Sequence, residues 1–229
     1  MPHSVRKPAR ENNVRMHNTS LGVVVTAALL VASCERQTNR RTENQAEKSA
    51  PSLAGGVPMS SEAADLLGKH LVLDELDWLN TPGNKSVTMA GKVTLVRWWT
   101  DTCPSCAMSL PAIERLRNRF AARGLQTLAV YHPKPPRDVA ANDVLQMAKA
   151  IGYTGWVASD LQWKALQRIY LDTADRHSTS VCFLLDGNGI IRYVHPGPAF
   201  GPTDDPEKRR LNQDYLNITA AIEALVSQP

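Results

Sequence analysis

Cys103 and Cys106, in Trp-Trp-Thr-Asp-Thr-Cys-Pro-Ser-Cys at 98–106, are the side chains whose type and spacing could do chemistry. Three chemistries compete. A disulfide closing so short a loop constrains the unfolded chain by about 2 kcal/mol, against about 4.5 kcal/mol for a loop of roughly 80 residues, so a staple would be poorly placed here. A Cys-x-x-Cys metal clamp needs a second Cys or His pair, and Cys182, His132, His177 and His195 stand singly. Thiol–disulfide exchange needs only the two thiols and a helix. A thiolate is the nucleophile, and a helix N-terminus favours it with unpaired N–H groups and the positive end of the dipole. Pro104 suits the first helical position, where its missing N–H is no loss. Cys103 is then the attacking thiol, and Cys106, one turn on, resolves the mixed disulfide.

Those roles require a strand that ends just before the motif and a helix that begins at it. "KVTLVRWW", 92–99, is a β-branched and aromatic run and predicts a buried strand. Residues 104–122 carry Met108, Ile113, Leu116 and Phe120 at helical spacing, and Gly124 stops the helix. Further strands are expected at 71–80, leading to a Pro-Gly turn, and at 125–131. Two more, 183–186 and 190–194, flank Gly187-Asn188-Gly189 as a hairpin. Helices are expected in "SEAADLLGKH", stopped by Gly68, and at 138–151, about 160–171 and 206–226, the last anchored by Leu211, Leu216, Ile222 and Leu225. The order β-α-β-α-(α)-β-β-α, strand–helix–strand first and hairpin last, predicts an α/β domain with a mixed central sheet and helices on both faces.

With Leu110-Pro111 inside the helix, the strand and cysteine motif resemble the thioredoxin superfamily. They look most like its TlpA/ResA-like membrane-anchored thiol–disulfide oxidoreductases, with AhpC/TSA-redoxin-like features. Pro111 stands five residues beyond Cys106, where that group usually has a kinking proline, and "FLLDGNGIIRYVHPG" matches its hairpin. The resemblance covers about residues 70–225 and implies a thioredoxin-like fold for 60–229. It implies exchange with protein thiols and disulfides at Cys103 and Cys106, without a cofactor. It also implies a reductase rather than an oxidase, fed by a membrane thiol donor because the periplasm is kept oxidising.

Two positions depart from the pattern. Ser180, in Thr-Ser-Val-Cys-Phe, stands where the family has a cis-proline in a loop that lies against the cysteines and binds client backbone. A cis bond without proline costs about 2.5–4 kcal/mol, so a trans bond, a slipped alignment and tolerated strain all stand open. Thr179 and Ser180 are the residues expected to bind a client. Arg97 occupies the strand position where thioredoxins proper have a buried acid, and an arginine cannot act as that base. It either favours a thiolate nearby or is a snorkelling or ion-paired side chain. Trp98 and Trp99 alternate in facing; Trp99 is taken as the one beside the site and a client, although both could be plain core. Cys182 reads as a small buried hydrophobe, with a third redox thiol as the sharper alternative. "YHPKPPR", 131–137, brings His132, Lys134 and Arg137 to a strand end, where they either shape a partner surface or form a stiff solvated loop. His195 in His-Pro-Gly is either a turn histidine or a group for acid–base chemistry, and Asp101 has no assigned role.

The N-terminus carries a separate message. A basic stretch ends near Arg15, and "LGVVVTAALLVAS", 21–33, is apolar, uncharged and too short to span a bilayer. It runs into Cys34 and resembles a lipoprotein signal. This predicts a signal peptide at 1–33, lipid on Cys34 that anchors the protein on the periplasmic side of a bacterial membrane, and a flexible tether at 34–59. Without 1–33 the chain carries 22 basic and 21 acidic residues, so its net charge of +4 gives no footprint for nucleic acid. Two rival classes remain. A peroxiredoxin-like peroxidase would want a Pro-x-x-x-Thr-x-x-Cys motif, which "VRWWTDTC" lacks. A copper-binding or scaffold protein would want a soft Cys, His and Met cluster that the sequence does not establish.

Overall fold

The computed structural model describes residues 61–197 and 199–227; the predicted signal, Cys34 and the tether lie outside them. The strands are β1 (Asp77–Trp78), β2 (Val93–Trp99), β3 (Leu125–Tyr131), β4 (Trp156–Ser159), β5 (Cys182–Leu185) and β6 (Ile191–His195). The helices are α1 (Pro104–Phe120), α2 (Ala141–Ala150), α3 (Lys164–Ile169) and α4 (Arg209–Val226). One six-stranded sheet runs in the order β1-β4-β3-β2-β5-β6. β2, β3 and β4 are parallel, and β1, β5 and β6 each pair antiparallel with their neighbour, so the sheet is mixed as expected.

Strand alternation divides the core in two. Leu95 and Trp99 of β2 pack with α1, α2 and α4 on one face, through Leu110, Ile113, Val144, Ala148, Ile218 and Ile222. Val96 and Trp98 pack on the other with α3 and the short 3-10 helix Ser61–Leu66, through Ala165, Leu166, Ala63 and Leu66. Helices therefore cover both faces, and β2, paired on both sides, lies deep in the sheet.

Several expectations need correction. β4 was not foreseen; it is four residues long and joins the sheet by pairing with β3. The strand expected over 71–80 forms only at Asp77–Trp78. The helix expected over 160–171 shrinks to α3, because Asp160 turns the chain and receives the Leu166 N–H at 2.8 Å. Each hairpin strand shifts by one residue. Met108 and Leu216, expected in apolar contacts, are 46% and 49% exposed. Met108 lies near the N-terminal end of α1, as the cysteines do. Gly124 does stop the α1 segment, with left-handed backbone at φ 91° after a final 3-10 turn.

Candidate active site

β2 ends at Trp99, and the chain turns once before α1. Cys103 is the N-cap of that helix, with extended backbone (φ −105°, ψ 106°), and Pro104 takes the first helical position. The Cys106 N–H closes the turn on the Cys103 carbonyl at 3.0 Å. Both thiols are free; Cys103 is half-buried, whereas Cys106 is 0% exposed. A protein client can therefore reach Cys103 and not Cys106.

The two thiols have opposite tendencies. Partial burial works against the Cys103 thiolate, but hydrogen bonds from Cys106, Ser180 and the Cys106 and Ser105 N–H groups outweigh it, and the thiol lies below its ordinary value. Burial dominates at Cys106 and pushes its thiol up, although the Arg97 charge and the Ser180 hydroxyl pull the other way. A lowered, reachable thiol beside a raised, enclosed one suits an attacking and a resolving cysteine.

The loop before β5 completes the site. Ser180 Oγ lies 3.3 Å from Cys106 Sγ and 3.9 Å from Cys103 Sγ. The Thr179–Ser180 bond is trans; among the described residues the cis bond is Lys134–Pro135. Thr179 and Ser180 are 8% and 6% exposed, so this loop offers a client little more than an edge. Trp99 is 0% exposed and packs edge-on against Tyr131, with ring centroids 5.0 Å apart. Enclosed there, it has no surface for a client, which corrects the expectation that it binds one.

Arg97 is also 0% exposed, so it does not snorkel. It stands opposite Cys182 in the β2–β5 register. Its Nη1 donates to the Ser180 carbonyl at 2.8 Å and the Gly197 carbonyl at 3.3 Å, and its guanidinium lies over the Phe200 ring. Cys182 is 1% exposed and burial pushes its thiol up to about 12, which suits a buried hydrophobe rather than a third redox thiol. Arg137 of the proline-rich loop reaches back to Asp101, Nη2 to Oδ2 2.7 Å, and ties that loop to the turn before Cys103. His132 is enclosed beside Trp163, with ring centroids 5.4 Å apart. Burial is the main reason its pKa falls to about 4. His195 Nε2 lies 3.2 Å from Asp214 Oδ2.

Sequence reasoning passed over Gly197, Phe200 and Asp160. The first two sit in "GPAFG", which carries no element signal, yet they hold Arg97. Asp160 accepts from Trp98 Nε1 at 3.3 Å and from the Ala165 and Leu166 N–H groups, fixing the end of β4 to β2 and α3.

A family model described as Redoxin matches residues 47–210. Thiol:disulfide interchange protein DsbE of Escherichia coli (strain K12) is 29% identical over 169 residues, covering 72% of this chain and 84% of that protein. Protein DipZ of Mycobacterium tuberculosis (strain CDC 1551 / Oshkosh) is 25% identical over 143 residues, covering 61% of this chain but only 19% of DipZ. Among solved structures, a thiol-disulfide isomerase from Corynebacterium glutamicum superposes with a TM-score of 0.52 at 21% identity, over 71% of this chain and 98% of that one, and shares the fold. The match over 47–210 places this chain in the Redoxin family, with a thioredoxin-like fold.

Proposed function

We propose that this protein exchanges disulfides with protein clients outside the cytoplasm, and that it works there as a reductase. The observation that carries the reading is the pairing of a half-buried, acid-shifted Cys103 at a helix N-cap with an enclosed Cys106 one turn later. The Cys103 thiolate attacks a client disulfide, one client sulfur leaves, and a mixed disulfide forms. Cys106 then attacks Cys103, the second client sulfur leaves, and the pair is left oxidised. A membrane thiol donor would return it to the reduced state. Thr179 and Ser180 would line the client's path by their backbone edge, and lipid on Cys34 would hold the domain at the membrane. The name of the similar DsbE supports the interchange chemistry. Among the described residues no helix is long and apolar enough to cross a membrane.

The test is to equilibrate the full chain in glutathione and dithiothreitol buffers and measure reduction of a protein disulfide. A reversible Cys103–Cys106 couple near or below that of thioredoxin, with turnover abolished in Cys103→Ser, supports a reductase. A far more oxidising couple moves the reading to an oxidase. No reversible couple between these two cysteines removes the exchange reading altogether.

A further inference from the structure

Resolution poses a problem of its own, and the inference below rests on the exchange reading. Cys106 must lose its proton before it can attack Cys103, yet it is wholly enclosed. The nearby candidates for a base are engaged or unsuitable. Arg97, on β2, accepts no proton. Asp101 pairs with Arg137, Asp214 of α4 pairs with His195 of β6, and Asp160 takes three hydrogen bonds beside Trp98, whose face of the sheet is the other one. His132, after β3, has its basicity suppressed by burial.

What does meet Cys106 is a hydroxyl and a buried cation joined to each other. Ser180 Oγ is 3.3 Å from Cys106 Sγ, and the carbonyl of the same residue receives Arg97 Nη1 at 2.8 Å. The same Nη1 also donates to the Gly197 carbonyl at 3.3 Å, and the guanidinium lies over the Phe200 ring. A hydroxyl can turn its proton toward an anionic sulfur, and a hydrogen bond to a charged acceptor is stronger than one to a neutral acceptor. We propose that Ser180 and Arg97 form an anion pocket for Cys106, so that the resolving thiol is activated by stabilising its thiolate rather than by a general base. Ser180 is then a catalytic residue and Arg97 a positioning one.

The step balances without another reagent. The Cys106 proton goes to water. The thiolate forms a bond to Cys103 Sγ, the bond from Cys103 to the client breaks, and its electron pair leaves on the client sulfur, which takes a proton from water. The cysteine pair is oxidised and the client reduced. Cys103 is covalently bound in this step and does not titrate. Cys182 of β5 and Tyr131 of β3 are pushed up to about 12, Tyr193 of β6 is raised further, and His132 lies near 4, so none changes charge around neutrality. His195 shares Phe200 with Arg97, and His195→Gln is the control for its contribution.

Ellman's reagent with the reduced full-length Cys34→Ser protein, in which Cys34 releases no thionitrobenzoate of its own, tests this in a stopped-flow instrument. The first equivalent of thionitrobenzoate marks attack by Cys103 and the second marks resolution by Cys106. In Ser180→Ala the second equivalent should slow about tenfold or more at neutral pH, and its pH midpoint should move upward, while the first, whose sulfur lies farther from the same hydroxyl at 3.9 Å, slows less. Ser180→Thr, which keeps the hydroxyl, should retain the rate. The proposal is overturned if Ser180→Ala resolves at the wild-type rate at every pH, or if both equivalents slow alike, as a merely structural role would produce. If the wild type releases no second equivalent, the exchange reading itself fails, a result distinct from any effect confined to the variant.

Discussion

Cys103 and Cys106 are one helical turn apart, and that turn opens one sulfur to solvent and closes the other. Among the three described cysteines, alkylation of the reduced protein should therefore modify Cys103 alone fast, with a rate midpoint below the ordinary thiol value of about 8.5, while Cys106 and Cys182 react only on unfolding. Mass spectrometry against pH reads this directly, and rapid labelling of Cys182 would contradict it. Cys106→Ser should accumulate a mixed disulfide with a protein client, visible on a non-reducing gel and absent in Cys103→Ser. His132 sets a different pH response. Its folded value of about 4 lies below an unfolded value of about 6.5, so between them the unfolded chain holds the extra proton. Stability is then full above about 6.5 and falls as pH drops toward 4, by about 3 kcal/mol at most. His132→Phe should flatten that part of the urea-derived stability curve; an unchanged acid slope would show that other groups cause it.

At the scale of elements, the site depends on α1 starting where β2 ends and on the sheet that holds β2 in place. α1 is tied to the segment before β4 by Glu114, which accepts from Arg117 and from the Thr154 N–H and hydroxyl. Gly155 follows, in contact with the packed Tyr153. A Cβ there would run into the Tyr153 hydroxyl and lie 2.6 Å from Thr127 Oγ1. Tyr153 cannot easily yield, because its hydroxyl bonds to Thr127 Oγ1 at 3.0 Å and to the Trp156 carbonyl at 3.1 Å. Gly155→Ala should cost about 1–3 kcal/mol by overpacking, measured by urea denaturation, and should leave Cys103 alkylation in the native state unchanged. A neutral substitution would mean that the β3–β4 junction is looser than its hydrogen bonds indicate.

For the whole molecule, the redox state and the stability of the fold are linked. The Cys103 thiol is lower in the folded state than in the unfolded chain, so its contribution is present above about 8.5 and is lost as pH falls through the folded value. Cys106 is raised and works the other way, destabilising the reduced fold as pH climbs beyond about 8.5. The oxidised protein carries neither term. The stability of the reduced form relative to the oxidised form should therefore rise as pH climbs through the folded Cys103 value, reach a maximum near 8.5 and then decline. Paired urea titrations across pH check this, and a flat difference would mean that the two thiols titrate alike in folded and unfolded chains.

What could be read in the sequence was information carried by neighbours along the chain. The Cys-Pro-Ser-Cys turn, the strand before it, the helix after it and the Gly-Asn-Gly hairpin are each decided within a few residues, and all are present. Arg97 and Ser180 were visible as departures from a family pattern, though not as partners. Only the tertiary structure decided that Ser180 meets Cys106 across 74 positions and that Gly197 receives Arg97 across 100. It also decided that Trp99 is enclosed and that Trp156–Ser159 joins the sheet as β4. The physical reason is the same in each case. A four-residue strand and a side chain's depth have no periodicity of their own, and they acquire an identity only from the distant segments that pack against them.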